Sequence, residues 1–145
     1  MAYSLVSYPD PRLKVDHSKP IRFFDYRDSI DIAFSIMEKA MAEEKGLGIA
    51  AVQVGIHLPI CIVGNIYMIN PKVESLSLIY EDALEGCLSC PGERIKVSRP
   101  KEVDVSYINT KGKKVNSKFN GLYARCFLHE VDHIRGKLIK DYSAN

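Results

Sequence analysis

The sequence predicts an α+β fold in which mostly antiparallel strands pack around a central helix. Three observations carry that prediction. Apolar residues recur at helical spacing in two segments, roughly 29–45 and 122–135, each followed by a glycine. Between them, from Ile60 to about Phe119, the pattern changes to short extended runs. No repeat, low-complexity stretch or linker interrupts the chain, so residues 1–145 are expected to form a single domain around one core.

Tyr8-Pro9-Asp10-Pro11-Arg12 reads as a turn, because each proline fixes its own φ and restricts the residue before it. In the first helix, Ser29 to Lys45, residues Ile30, Ala33, Phe34, Met37, Ala40 and Met41 share one face, as core packing requires. Asp28 is its candidate N-cap and Gly46 its stop. Pro59 to Val63 reads as a buried strand, and Ile66 to Ile69 as another. Val103, Val105 and Tyr107 alternate with polar residues. Asn109-Thr110-Lys111-Gly112 then forms a hairpin turn into Lys113 to Phe119. The last helix, Leu122 to Arg135, stops at Gly136.

An apolar fraction of 46% and a charged fraction of 26% are those of an ordinary soluble protein. A net charge of +2, with no basic cluster and no Trp, argues against direct nucleic-acid binding or an anionic membrane. Met1 to Pro20 lacks an apolar run of signal-peptide length. Leu47 to Val63 is too interrupted by Gly48, Gln53, Gly55, His57 and Pro59 to span a bilayer. Without a secretion signal, Cys61, Cys87, Cys90 and Cys126 read as core thiols or metal ligands rather than disulfides. The expected location is the cytoplasm, with organellar import left open.

Chemistry concentrates in His129-Glu130-Val131-Asp132-His133. On a helix, positions i and i+4 lie on one face, so the two imidazoles can grip one metal ion. Glu130, one step along, is placed to handle a water there. The alternative is an ordinary histidine pair on a surface or core helix. A catalytic site needs a third protein ligand, and Cys87 in Glu85-Gly86-Cys87-Leu88-Ser89 is the candidate, its own alternative being a buried structural thiol. In Gly46-Leu47-Gly48-Ile49-Ala50-Ala51-Val52-Gln53 the glycines admit close backbone approach, and Gln53 is a polar side chain in an apolar run. Cys126, one turn before His129, is expected to line the site without ligating.

Those three segments, in that order and at those separations, resemble the three signature motifs of the peptide deformylase family, and the early Tyr-Pro-Asp-Pro-Arg stretch resembles its N-terminal segment. The resemblance covers nearly the whole chain and implies a peptide deformylase-like fold around the metal-binding helix. It also implies a hydrolase that removes the formyl group from N-terminal formyl-methionine. Cys87, His129 and His133 are then the ligands of one divalent ion, with Fe2+ the usual occupant and Zn2+ or Ni2+ able to replace it. Glu130 matches the general base and acid. Gln53 and the Leu88 N–H match the oxyanion donors. Gly46, Gly48, Arg94, Leu122 and Arg125 are the candidate substrate contacts. Glu85 and Asp132 are candidate acceptors for the ligating histidines, with Arg99 a partner for Glu85. The implied partner is a formyl-methionyl nascent chain, met by a monomer in transient contact with the ribosome.

Cys90 stands where the family usually carries an aliphatic residue, and Arg125 where an apolar pocket residue is common. The chain also stops at Asn145, without a long extension after the helix. Cys90 raises a rival reading, in which Cys87, Cys90, His129 and His133 close a Cys2His2 structural zinc module. That reading gives no role to Glu130 or Gln53. Cys87-Leu88-Ser89-Cys90 as a redox motif lacks the βαβ setting of thioredoxin-like proteins. A general zinc peptidase built on the histidine pair leaves the cysteine segment unexplained.

Overall fold

The computed structural model describes residues 2–143; Met1, Ala144 and Asn145, and with them the reading of the chain end, lie outside the described residues. Helix α1 spans Arg27–Glu43 and helix α2 Gly121–Ile134. The strands are β1 Gly48–Ala50, β2 Ile60–Val63, β3 Ile66–Leu76, β4 Tyr80–Cys87, β5 Cys90–Pro100, β6 Glu102–Ile108 and β7 Lys114–Asn120. All pair antiparallel, in a five-stranded sheet of order β1-β2-β3-β6-β7 and a separate β4-β5 hairpin. The expected α+β class is what this arrangement shows.

Period-two alternation divides the core. In β2 and β3, Cys61, Val63 and Met68 face α2, where they meet Ala124, Phe127, Leu128, Val131 and Ile134. Ile60, Ile62 and Ile69 face the other way and pack on Ile30, Phe34, Met37 and Ala40 of α1. The sheet therefore lies between two helices, and β2, apolar on both faces, is buried along its whole length. The predicted stripe of α1 is the buried one, except that Met41 is only partly buried.

The helix boundaries needed correction. Asp28 lies inside the first turn of α1, favourably placed for the helix dipole, and Tyr26 holds the N-cap position. At the other end Lys45, at φ 56°, takes the left-handed position predicted for Gly46. The Gly46 N–H reaches back to the Met41 carbonyl at 2.9 Å, and Lys45 N–H to Ala42 at 3.3 Å, the paired bonds of a Schellman stop. Gly136 after α2 does adopt the expected φ of +80°, and a Cβ there would press on the Lys14 carbonyl at 2.6 Å. Ile66–Leu76 is longer than the predicted strand, and the β4-β5 hairpin was not predicted as such. Among the described residues no helix is long and apolar enough to cross a membrane.

Candidate metal centre and catalytic pocket

Two elements meet at the site. Helix α2 carries Cys126, His129, Glu130 and His133, and the β4-β5 turn brings Cys87 against it. The Cys87 Sγ lies 3.2 Å from His133 Nε2. The donor atoms of Cys87, His129 and His133 all fall within 4.8 Å of one another. Ligand atoms around a tetrahedral ion with one Zn–S and two Zn–N bonds stand roughly 3.3–3.7 Å apart. One thiol and two imidazoles on that scale fit a divalent cation.

The surrounding charges orient these donors. Glu85 accepts from His129 Nδ1 at 2.9 Å, which puts the proton on Nδ1 and leaves Nε2 with its lone pair. Arg99 grips the same carboxylate through Nε at 2.6 Å and Nη2 at 2.9 Å, and Arg125 Nη1 adds a bond of 2.7 Å. Burial opposes the Glu85 charge, but the bonds from Arg99 and His129 overcome it and hold the carboxyl at about 2. Burial holds His133 well below the ordinary imidazole range, keeping it neutral as a ligand must be. Asp132 differs from expectation: it accepts from Arg99 Nη1 at 2.9 Å and Tyr142 Oη at 2.7 Å rather than from a histidine. The His133 Nδ1 is buried with no hydrogen-bond partner among the described residues.

Glu130 is buried beside the cluster, and its Oε1 likewise has no partner among the described residues. Burial pushes its carboxyl up to about 7, the range in which a group can both take and return a proton. Gly48 explains how that carboxylate fits. A Cβ at this position would sit 2.7 Å from Cys126 Sγ, 2.8 Å from the Ile62 carbonyl and 2.9 Å from Glu130 Oε2. Gly48→Ala should therefore destabilise the fold by roughly 1–3 kcal/mol through overpacking, read from denaturant unfolding. An unchanged midpoint would show that β1 yields freely.

Gln53 is buried, and its Oε1 accepts from the Ala50 N–H at 2.9 Å. That bond turns the amide NH2 toward Ser89 Oγ at 3.2 Å and Cys87 Sγ at 3.7 Å. A cavity of about 420 Å3 opens here, lined by Gln53, Cys87, Leu88, His129 and Glu130. Gly46, Gly48, Arg94, Leu122 and Arg125 line it as well, so every residue predicted as a ligand, proton carrier, oxyanion donor or substrate contact borders one pocket, except His133.

A model of the polypeptide deformylase family matches residues 2–145. The chain belongs to that family. It is 36% identical over 148 residues to the peptide deformylase of Saccharophagus degradans, covering 97% of this chain and 84% of that protein. The fold matches an inhibitor-bound Plasmodium falciparum peptide deformylase with a TM-score of 0.88 and 38% identity, over 95% of this chain and 87% of that one. It also matches a Met-Ala-Ser-bound class I type b peptide deformylase from Acinetobacter baumannii, with a TM-score of 0.90 and 29% identity over 97% and 98% of the two chains.

Within this deformylase-family site, Cys90 does not join the ligand group. It is buried against Val97 and Ile139, so the closed Cys2His2 module is not formed. Arg125 borders the pocket, yet its guanidinium is tied to Glu85, the Val97 carbonyl at 2.9 Å and the Glu81 carbonyl at 2.6 Å. Ser89, Leu47, Leu84 and Tyr142 were not singled out from the sequence. Ser89 is fully buried and receives the Gln53 amide; Leu47 and Leu84 are exposed apolar residues at the rim.

Proposed function

We propose that this pocket hydrolyses the N-formyl amide of formyl-methionyl peptides, releasing formate, with Cys87, His129 and His133 holding the metal and Glu130 moving the proton. Peptide deformylases are metalloenzymes that act on formylated nascent peptides, and this chain is a hydrolase of that family. The observation that carries the residue assignment is one thiol and two imidazoles gathered beside a buried carboxylate whose Oε1 has no partner among the described residues.

A divalent ion held by those three donors supplies Lewis acidity and lowers the pKa of water to about 7. The side chains do the rest. Glu130 takes a proton from the attacking water as the new O–C bond forms at the formyl carbon. It returns that proton to the amine nitrogen as the C–N bond breaks. The Gln53 amide and the Leu88 N–H donate to the developing oxyanion; one such donor contributes about 2.7–4 kcal/mol. Gln53 needs no reorganisation for this, because the Ala50 bond already fixes which end of its amide faces the cavity.

β1 is an edge strand, and among the described residues it pairs only with β2. An extended peptide can add along its free side past Gly46 and Gly48. The methionine side chain would rest among Leu88, Leu122 and the stem of Arg125, with Arg94 available to the peptide backbone or its carboxylate. Ferrous iron is the proposed resident ion; a thiolate with two imidazoles also suits zinc and nickel. Residues 1–145 act as one catalytic domain and as a monomer in the cytoplasm, in transient contact with the ribosome. The test is formate release from formyl-Met-Ala-Ser by anaerobically prepared iron- or nickel-loaded protein. Release supports the assignment, and silence from a folded protein carrying one metal ion overturns it.

A further inference from the structure

Cys90 has no part in that chemistry, yet it stands opposite the proposed thiolate ligand. Cys87 and Cys90 are register partners where β4 turns into β5, with only Leu88 and Ser89 between them. Directly opposed residues of an antiparallel pair have Cα atoms about 4.5–5.5 Å apart, within the span of roughly 4.4–6.8 Å that a disulfide bridges. Cys87 also packs against the small apolar cluster that holds Cys90. Their exposures differ in the useful sense. Cys87 borders the cavity, whereas Cys90 is buried behind it among Val97, Ile95 and Ile139.

We infer that Cys87 and Cys90 are an oxidation site, at which a hydroperoxide converts the pair to a disulfide and releases the metal ion. The steps balance. The Cys87 thiolate attacks one oxygen of hydrogen peroxide; an S–O bond forms, the O–O bond breaks, and hydroxide leaves. The Cys90 sulfur then attacks the Cys87 sulfenic acid; the S–S bond forms, the S–O bond breaks, and the departing hydroxide takes the Cys90 proton as water. Two thiols lose two electrons and peroxide is reduced to water. The disulfide has no thiolate left to ligate, so only His129 and His133 hold the ion. Cys90 also stops Cys87 from climbing to sulfinic and sulfonic acids, which thiol reductants do not reverse.

The release of metal rests on the assignment of Cys87 as a ligand; the pairing of the two sulfurs does not. Zinc-loaded protein, whose ion is redox-inert, is treated with hydrogen peroxide and followed by intact mass, denatured thiol titration and zinc release. The parent should fall from four free thiols to two, lose the mass of two hydrogens, and release its zinc. Dithiothreitol with zinc should restore all three readings. Cys90→Val should instead gain oxygen mass at Cys87 and stay modified after dithiothreitol. Should that variant fold poorly, mapping of the parent alone decides. Oxygen added at Cys87 while Cys90 remains alkylatable overturns the inference. A disulfide formed with zinc still bound overturns the release and, separately, the ligand role of Cys87.

Discussion

Glu130→Gln should load metal to the parent level and release formate roughly 10²- to 10⁴-fold more slowly, the usual contribution of a positioned acid–base group. The substitution is nearly isosteric. It breaks no hydrogen bond at Oε1, which has none among the described residues, so folding should be largely preserved. What it removes is the ability to accept the water proton and hand it to the amine. Glutamine offers a donor and an acceptor at the same place but has no titratable oxygen. Metal analysis beside the formate assay separates this from loss of the ion. A variant that keeps more than about a tenth of the parent rate at equal metal content would place the base elsewhere. Cys87→Ala makes the contrasting case, because there the metal content itself should fall.

Legibility followed the source of each signal. The histidine pair was readable because i, i+4 spacing fixes which side chains share a helix face, whatever the rest of the fold does. The glycine run was readable only as permission for close approach; that its Gly48 makes room for Glu130 needed three-dimensional structure. The β4-β5 hairpin was hidden for a physical reason. Tyr80, Glu81, Asp82 and Leu84 are exposed, and Glu85 is the buried member of β4, so no apolar alternation marks the strand. What holds it is charge reaching across from another element: Arg125 of α2 bonds the Glu81 and Val97 carbonyls as well as Glu85. Such pairings join residues far apart in the chain, and periodicity carries no trace of them. Asp132 shows the same limit. It was a candidate acceptor for a ligating histidine, but Arg99 and Tyr142 donate to it instead.

Glu85→Ala should be the most destabilising single change at the site. The carboxylate accepts four bonds from three residues: Arg99 through two nitrogens, Arg125 and His129. Removing it leaves Arg99, 4% exposed, with Asp132 and the Tyr142 hydroxyl as its remaining hydrogen-bond partners among the described residues. Breaking a buried ion pair from one side typically costs about 3–5 kcal/mol. That is a large share of the 5–15 kcal/mol that roughly bounds the stability of a domain. The same change frees His129 to rotate, and loss of an acceptor behind a ligating histidine typically weakens metal affinity about 10–100-fold. The two effects need separate readings, because bound metal itself stabilises the folded state. Denaturant unfolding of the metal-free protein isolates the ion-pair loss, and competition with a chromophoric chelator isolates the affinity loss. Arg99→Met in the Glu85→Leu background then tests the cause. If the penalty is an unpaired buried guanidinium, the second substitution should recover part of the lost stability, a coupling of roughly 0.5–3 kcal/mol. Strictly additive losses would mean that the two side chains act independently and that Arg125 and Asp132, rather than the Glu85–Arg99 pair, keep the hairpin on the helix.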